Sequence, residues 1–103
     1  MKLSAAILRG VAMGGFQVKG KMFAFDANGS VIGSCALGAA ALGTGLVPMP
    51  GLGRYGNGYV VSHLEEVFGR AECARLYNQI SDGNDLNGLT REQIAADLQA
   101  RGL

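Results

Sequence analysis

Tryptophan is absent from this 103-residue chain, histidine occurs once, and cysteine and proline occur twice each. His63 is the sole imidazole, and Cys35 and Cys73 are the sole thiols. These residues offer none of the short paired spacings of a structural zinc site, so no metal and no cofactor are expected. Two thiols on apolar stretches read as free, buried small hydrophobes, which makes a cytoplasmic setting the expectation. Charge is scarce as well: charged residues are 17% of the chain and the formal net charge is +1. Nothing global draws such a chain to nucleic acid or to an anionic membrane. Long apolar runs are missing too. Arg9 cuts the N-terminal apolar run to six residues, below the roughly 7 that a signal-peptide core needs. The uncharged window between Asp26 and Arg54 is filled with Gly, Ala, Ser and Thr and is broken by Pro48 and Pro50. A spanning helix needs about 20 predominantly apolar residues, so no membrane segment is expected.

Glycine is in excess, with 17 residues, and it frames the stretch Ser34-Cys35-Ala36-Leu37-Gly38-Ala39-Ala40-Ala41-Leu42-Gly43. As a helix, this stretch puts Cys35, Gly38, Ala39 and Leu42 on one face at the i, i+3, i+4, i+7 spacing. A face so small lets neighbouring backbones approach closely. It is therefore expected at the centre, capped by Ser34 and stopped by Gly43-Thr44-Gly45. Apolar residues are 49% of the chain, too many for disorder, and the length suits one domain over residues 1–103.

Leu3, Ile7 and Val11 share a stripe that predicts a first helix, capped by Ser4 and ended by Gly14-Gly15. Residues 16–25 alternate instead, with Phe16 and Val18 on one side. A phase slip near Gly20 predicts either a β-bulge or a tight turn. Asp26-Ala27-Asn28-Gly29 has type I turn chemistry, so 31–32 should return beside 23–25 as a hairpin. Residues 44–58 form a long Gly/Pro-rich connection, read as mobile. Helical spacing resumes at 59–68, with Val60, Leu64, Val67 and Phe68 inward, and again at 70–81, with Cys73, Leu76, Tyr77 and Ile80 inward. Residues 82–88 read as a polar turn. Thr90 and Gln93 fit a capping box for the last helix, with Leu89 and Ile94 as its hydrophobic staple. The expected fold class is α+β: one β-hairpin packed on about five short helices.

Several local patterns suggest chemistry, and each has a plainer reading. Gly51-Leu52-Gly53-Arg54-Tyr55-Gly56 matches a dinucleotide fingerprint, but Val47-Pro48-Met49-Pro50 stands where the buried strand is required. An EF-hand begun at Asp82 would put Leu86 and Gln93 where an oxygen ligand and a glutamate belong. Leu89-Thr90-Arg91-Glu92-Gln93-Ile94-Ala95 resembles the opening helix of a helix-turn-helix module, yet no basic face accompanies it. Cys35 near a helix start, with His63 as base and Asp85 nearby, is the one set that suits a cysteine-dependent enzyme or a small-ligand site. Simple packing of Cys35 and a surface histidine are the plainer account. Asn84 and Asp85 could bind a ligand, or could tie the last helix to the ribbon by accepting N–H bonds. Leu52, Arg54 and Tyr55 on the long connection are of types enriched at interface hot spots.

The order of these features resembles a family of small uncharacterised bacterial and phage proteins. The residues that carry the resemblance are Asp26-Ala27-Asn28-Gly29, Cys35-Ala36-Leu37-Gly38-Ala39, Asn84-Asp85 and Thr90-Arg91-Glu92-Gln93-Ile94-Ala95. It implies an intracellular domain from a phage or mobile element, with no established activity. The residues 44–58 depart from that pattern. The leading expectation is a small non-enzymatic binding protein whose partner is a host protein, using Leu52, Arg54, Tyr55, Asn84 and Asp85. The alternative is the Cys35/His63/Asp85 enzyme or ligand site.

Overall fold

Alanine and glycine spaced four apart on two helices set the frame of the molecule. The computed structural model describes residues 1–51 and 57–103. In chain order the elements are α1 (Leu3–Ala12), β1 (Phe16–Gln17), β2 (Phe23–Phe25), β3 (Val31–Ser34), α2 (Ala36–Gly43), α3 (Gly58–Phe68), α4 (Arg70–Asp85) and α5 (Arg91–Ala100). This is a small α+β fold with α2 at its centre. All eight residues of α2 are buried, so the helix has no wet side at all.

The seam between α1 and α2 is a contact of backbones. A β-carbon on Gly10 would overlap the Ala39 carbonyl oxygen, and one on Gly43 would overlap that of Ala6. Ala6 and Gly10 lie one turn apart on α1, as Ala39 and Gly43 do on α2, so two small pairs meet face to face. On another side of α2, a β-carbon on Gly38 would overlap the Met22 carbonyl oxygen. Glycine is required at all three places by space. Larger side chains close the core around the seam: Ile7 from α1, Val60 and Leu64 from α3, Leu76 and Ile80 from α4, and Ile94 and Leu98 from α5. Each such side chain, fully buried, contributes roughly 1.5–3 kcal/mol.

The sheet has the order β1-β3-β2. The expected hairpin is β2 and β3, antiparallel, with Phe23 opposite Ser34 and an irregular register between Ala24 and Phe25. Its turn is built as expected. Asp26 Oδ1 accepts from the N–H groups of Asn28 and Ser30, both at 2.9 Å, and Gly29 takes φ +82°. Residues 16–25 are not one bulged strand: the chain turns near Gly20, the second of the two expectations. β1 pairs in parallel with β3, Phe16 opposite Gly33, and the chain swings through a bend at 19–22 to place β2 on the other side. Phe16 consequently lies over Gly33 and stays exposed, while Val18 is buried.

Three helix boundaries differ from expectation, each for a tertiary reason. Ser34 remains extended in β3, so Cys35 becomes the N-cap of α2 and its sulfur accepts the Gly38 N–H. Ser4 does not cap α1, which begins after Lys2; its hydroxyl donates to the Leu103 carbonyl at 3.1 Å. α4 continues through 82–85, four residues expected in a turn, because Asn84 finds its partners across the fold. Val67, expected inward, is exposed. The capping box at Thr90 and Gln93 has both of its bonds, at 3.0 and 2.8 Å, and the staple residues Leu89 and Ile94 both lie over Gly83.

Candidate functional site

Cys35 stands where β3 hands over to α2. Its sulfur accepts from the Gly38 N–H at 3.3 Å and lies 3.6 Å from Met22 Sδ. Burial pushes this thiol above its ordinary pKa, and the Asp85 carboxylate adds to that, against the smaller opposing effect of the Gly38 and Leu37 N–H groups. Cys35 is therefore a neutral thiol at pH 7. His63 is engaged elsewhere, its Nε2 lying 2.8 Å from the Thr44 hydroxyl at the end of α2. That hydroxyl donates to the Ala40 carbonyl at 2.9 Å, so the imidazole supplies the N–H to it. Each group is bonded elsewhere, and no hydrogen bond joins thiol and imidazole among the described residues. Cys73 is free and half-buried on α4.

Asn84 and Asp85 close the last turn of α4 against three other elements. Asn84 is 1% exposed; its Oδ1 accepts from Ala36 N, the first N–H of α2, at 3.1 Å and from Gln17 Nε2 at 2.8 Å. Its Nδ2 donates to the Val18 carbonyl and to Asp85 Oδ1, both at 2.8 Å. All four hydrogen-bonding positions of the amide are filled, which leaves none for a ligand. Asp85 Oδ1 also accepts from Gly20 N at 3.1 Å. The carboxylate thus ties α4 to the bend after β1, as its turn chemistry suggested. The tie to the last helix runs instead through Gln17, which donates to the Leu89 carbonyl and accepts from Arg91 N.

Arg91 was not singled out by sequence reasoning, because a charged residue in the first turn of a helix reads as solvated. It is 5% exposed. Its Nη1 donates to Ser34 Oγ at 3.0 Å and its Nη2 to the Gly15 carbonyl at 3.1 Å, while Nε has no partner among the described residues. The guanidinium fastens α5 to β3 and to the glycine pair that follows α1.

A recess of about 120 Å³ opens beside Asp85, floored by Met22, Cys35 and Leu37 and walled by Lys21, Tyr77 and Ser81. Tyr77, Ser81 and Asp85 occupy it as an i, i+4, i+8 stripe of α4, a signal that sequence reasoning passed over by treating Tyr77 as core and 82–88 as a turn. Burial, with Cys35 and Asp85 contributing, holds the Tyr77 phenol above its ordinary pKa.

The connection after α2 is tied down where it is described. Leu46 N donates to the Ala41 carbonyl at 3.0 Å, and Met49 N donates to the Tyr59 hydroxyl at 2.9 Å. The Pro50 ring lies against Gly29 in the hairpin turn. Exposure differs along it: Leu46 and Pro48 are half-buried, whereas Val47 is 80% and Met49 48% exposed. Leu52, Arg54 and Tyr55, the expected contact residues, lie outside the described residues. Among the described residues, no three His, Cys, Asp or Glu side chains gather as metal ligands, and no helix is long and apolar enough to cross a membrane. Comparison with protein-family models, with curated proteins and with solved structures finds no match to this chain.

Proposed function

We propose that the chain is a small non-enzymatic protein-binding module whose contact element is the extended segment Val47-Pro48-Met49. One observation carries this reading: a connection braced at both ends presents two large apolar side chains to solvent. A segment that merely joined two helices would gain nothing from holding apolar groups outward, whereas an extended, proline-stiffened strand loses little entropy on entering a partner's apolar groove. The partner expected is a host protein, and the resemblance to small phage and bacterial proteins supports a modulator carried by a phage or mobile element. Two free cysteines favour a cytoplasmic setting. The cysteine-enzyme alternative loses support, since Cys35 is buried and neutral and His63 is bonded to Thr44.

A photo-crosslinking residue placed at Val47 should capture a defined host protein, and one placed at exposed Arg9 on α1 should not. The double variant Val47→Asp/Met49→Asp should weaken that complex by about 30-fold or more, the scale of losing a hot spot. Its thermal melt should stay close to the parent's, because exposed substitutions usually change stability by within roughly 0.5 kcal/mol. Equal retention of the partner by parent and double variant would sink this reading.

A further inference from the structure

We propose that the recess between the bend after β1 and the C-terminal half of α4 binds a small zwitterion of the α-amino-acid type. Two opposite charges border it, Lys21 and Asp85, and they do not pair with each other. Lys21 makes no ion pair among the described residues. Asp85 is positioned by its Oδ1, which accepts from Gly20 N and Asn84 Nδ2, while among the described residues its Oδ2 has only a long contact of 3.4 Å from the Ser81 hydroxyl. One carboxylate oxygen is thus held by the fold and the other has capacity left toward the recess. The Tyr77 hydroxyl and the Asn57 amide, also at its edge, make no hydrogen bond among the described residues. Polar groups with unfilled valences lining one concavity are a usual mark of a ligand site.

The charge arrangement selects the ligand class. A simple cation would meet Asp85 but be repelled by Lys21, and a simple anion would face the reverse. A molecule carrying an ammonium and a carboxylate on one carbon satisfies both at once, with Ser81 and Tyr77 adding hydrogen bonds. The volume, about 120 Å³, suits an ammonium and a carboxylate with a small side chain such as that of glycine, alanine or serine. The floor of Met22, Leu37 and the neutral Cys35 thiol suits a hydrogen, methyl or hydroxymethyl group. The recess does not involve Val47 or Met49, so this site stands apart from the protein-binding reading.

Nitrogen-15 NMR titration of the full chain tests the site. Glycine, alanine or serine should give saturable shifts at the amides of Gly20, Lys21, Ser81 and Asp85, with a Kd on the order of 1 mM. Methylammonium and acetate, alone or together at equal ionic strength, should not. Lys21→Gln, at an exposed position, should weaken binding about tenfold with an unchanged melt, and Ser81→Ala should weaken it by less. Asp85→Asn should abolish binding; if that variant fails to fold, Lys21→Gln carries the decision. The proposal is overturned if no zwitterion saturates, if Lys21→Gln binds like the parent, or if methylammonium with acetate reproduces the shifts.

Discussion

The two sides of α2 are joined to the rest of the molecule by opposite means. Along α1 the contact is dry and made by what is missing: Gly10 and Gly43 have no side chain, and each takes a neighbouring carbonyl into the space. At the N-terminal end of α2 the contact is polar though buried, with Asn84 accepting the first N–H of the helix while it binds Val18 and Gln17. The seam fixes how near the elements lie; the amide network fixes which way they face. Packing tolerates sliding along a smooth surface, whereas hydrogen bonds have direction, so each supplies what the other lacks.

The seam should be the more fragile of the two. Gly10→Leu forces a side chain into the Ala39 backbone, and neither helix can yield without moving the core behind it. A loss of about 3 kcal/mol is expected, the upper part of the overpacking range, read as the fall in free energy of unfolding by urea. Gly38→Leu, directed at the Met22 carbonyl, should lose about 1–3 kcal/mol. If Gly10→Leu unfolds at the parent's midpoint, the helices are not in backbone contact and the comparison fails at its first step.

The amide network is broken by Asn84→Leu, which keeps the number and branching of the side-chain heavy atoms and removes every bond. Ala36 N–H and the Val18 carbonyl are then left buried without their partner, for a loss of about 2 kcal/mol. Hydrogen exchange sharpens the test: protection should fall at Ala36 and along β1, and should persist along α1. A uniform loss of protection would show that seam and network are one cooperative unit.

How much of this was legible in the sequence follows the same division. The small-residue helix could be read, because small residues at helical spacing announce a close approach and 35–42 was expected at the centre. Its partner could not: Gly10 gave no signal and Gly43 read only as a helix stop. The Asp26 turn, the break between the helices at 59–68 and 70–81, and the Thr90–Gln93 capping box could also be read, since each is settled within a few residues. The network could not. Asn84 and Asp85 looked like turn residues, and they stay helical only because their partners arrive from positions far away in the chain. Arg91 gave no hint of burial, as its acceptors, Ser34 and the Gly15 carbonyl, carry no local signature. The parallel pairing of β1 escaped for a related reason: two residues are too few to establish a period, and β3 lies beyond the intervening strand. Ser34 was the natural cap by residue type, but the sheet retains it and leaves the task to Cys35.

Cys35 sits at the network's end of α2, and it gives the comparison its finest test. The buried thiol holds its proton more tightly in the folded chain than it does when unfolded, so its folded pKa is raised. Above the ordinary thiol pKa the unfolded chain releases a proton that the folded chain retains, which makes stability fall as pH rises. The contribution is intact below that pKa and is lost between the unfolded and folded values. Cys73 and Tyr77 are raised as well, chiefly by burial, and act in the same direction, but both are far more open to water. Urea unfolding at pH 7 and pH 10 should show a decline in the parent that is smaller in Cys35→Ser, whose hydroxyl can still accept the Gly38 N–H. A thiol reagent at pH 8 should label Cys73 well before Cys35, at a Cys35 rate set by unfolding. An equal decline in parent and variant, or prompt labelling of Cys35 in the folded chain, would mean that water reaches the end of α2, and that the network excludes it less well than the seam does.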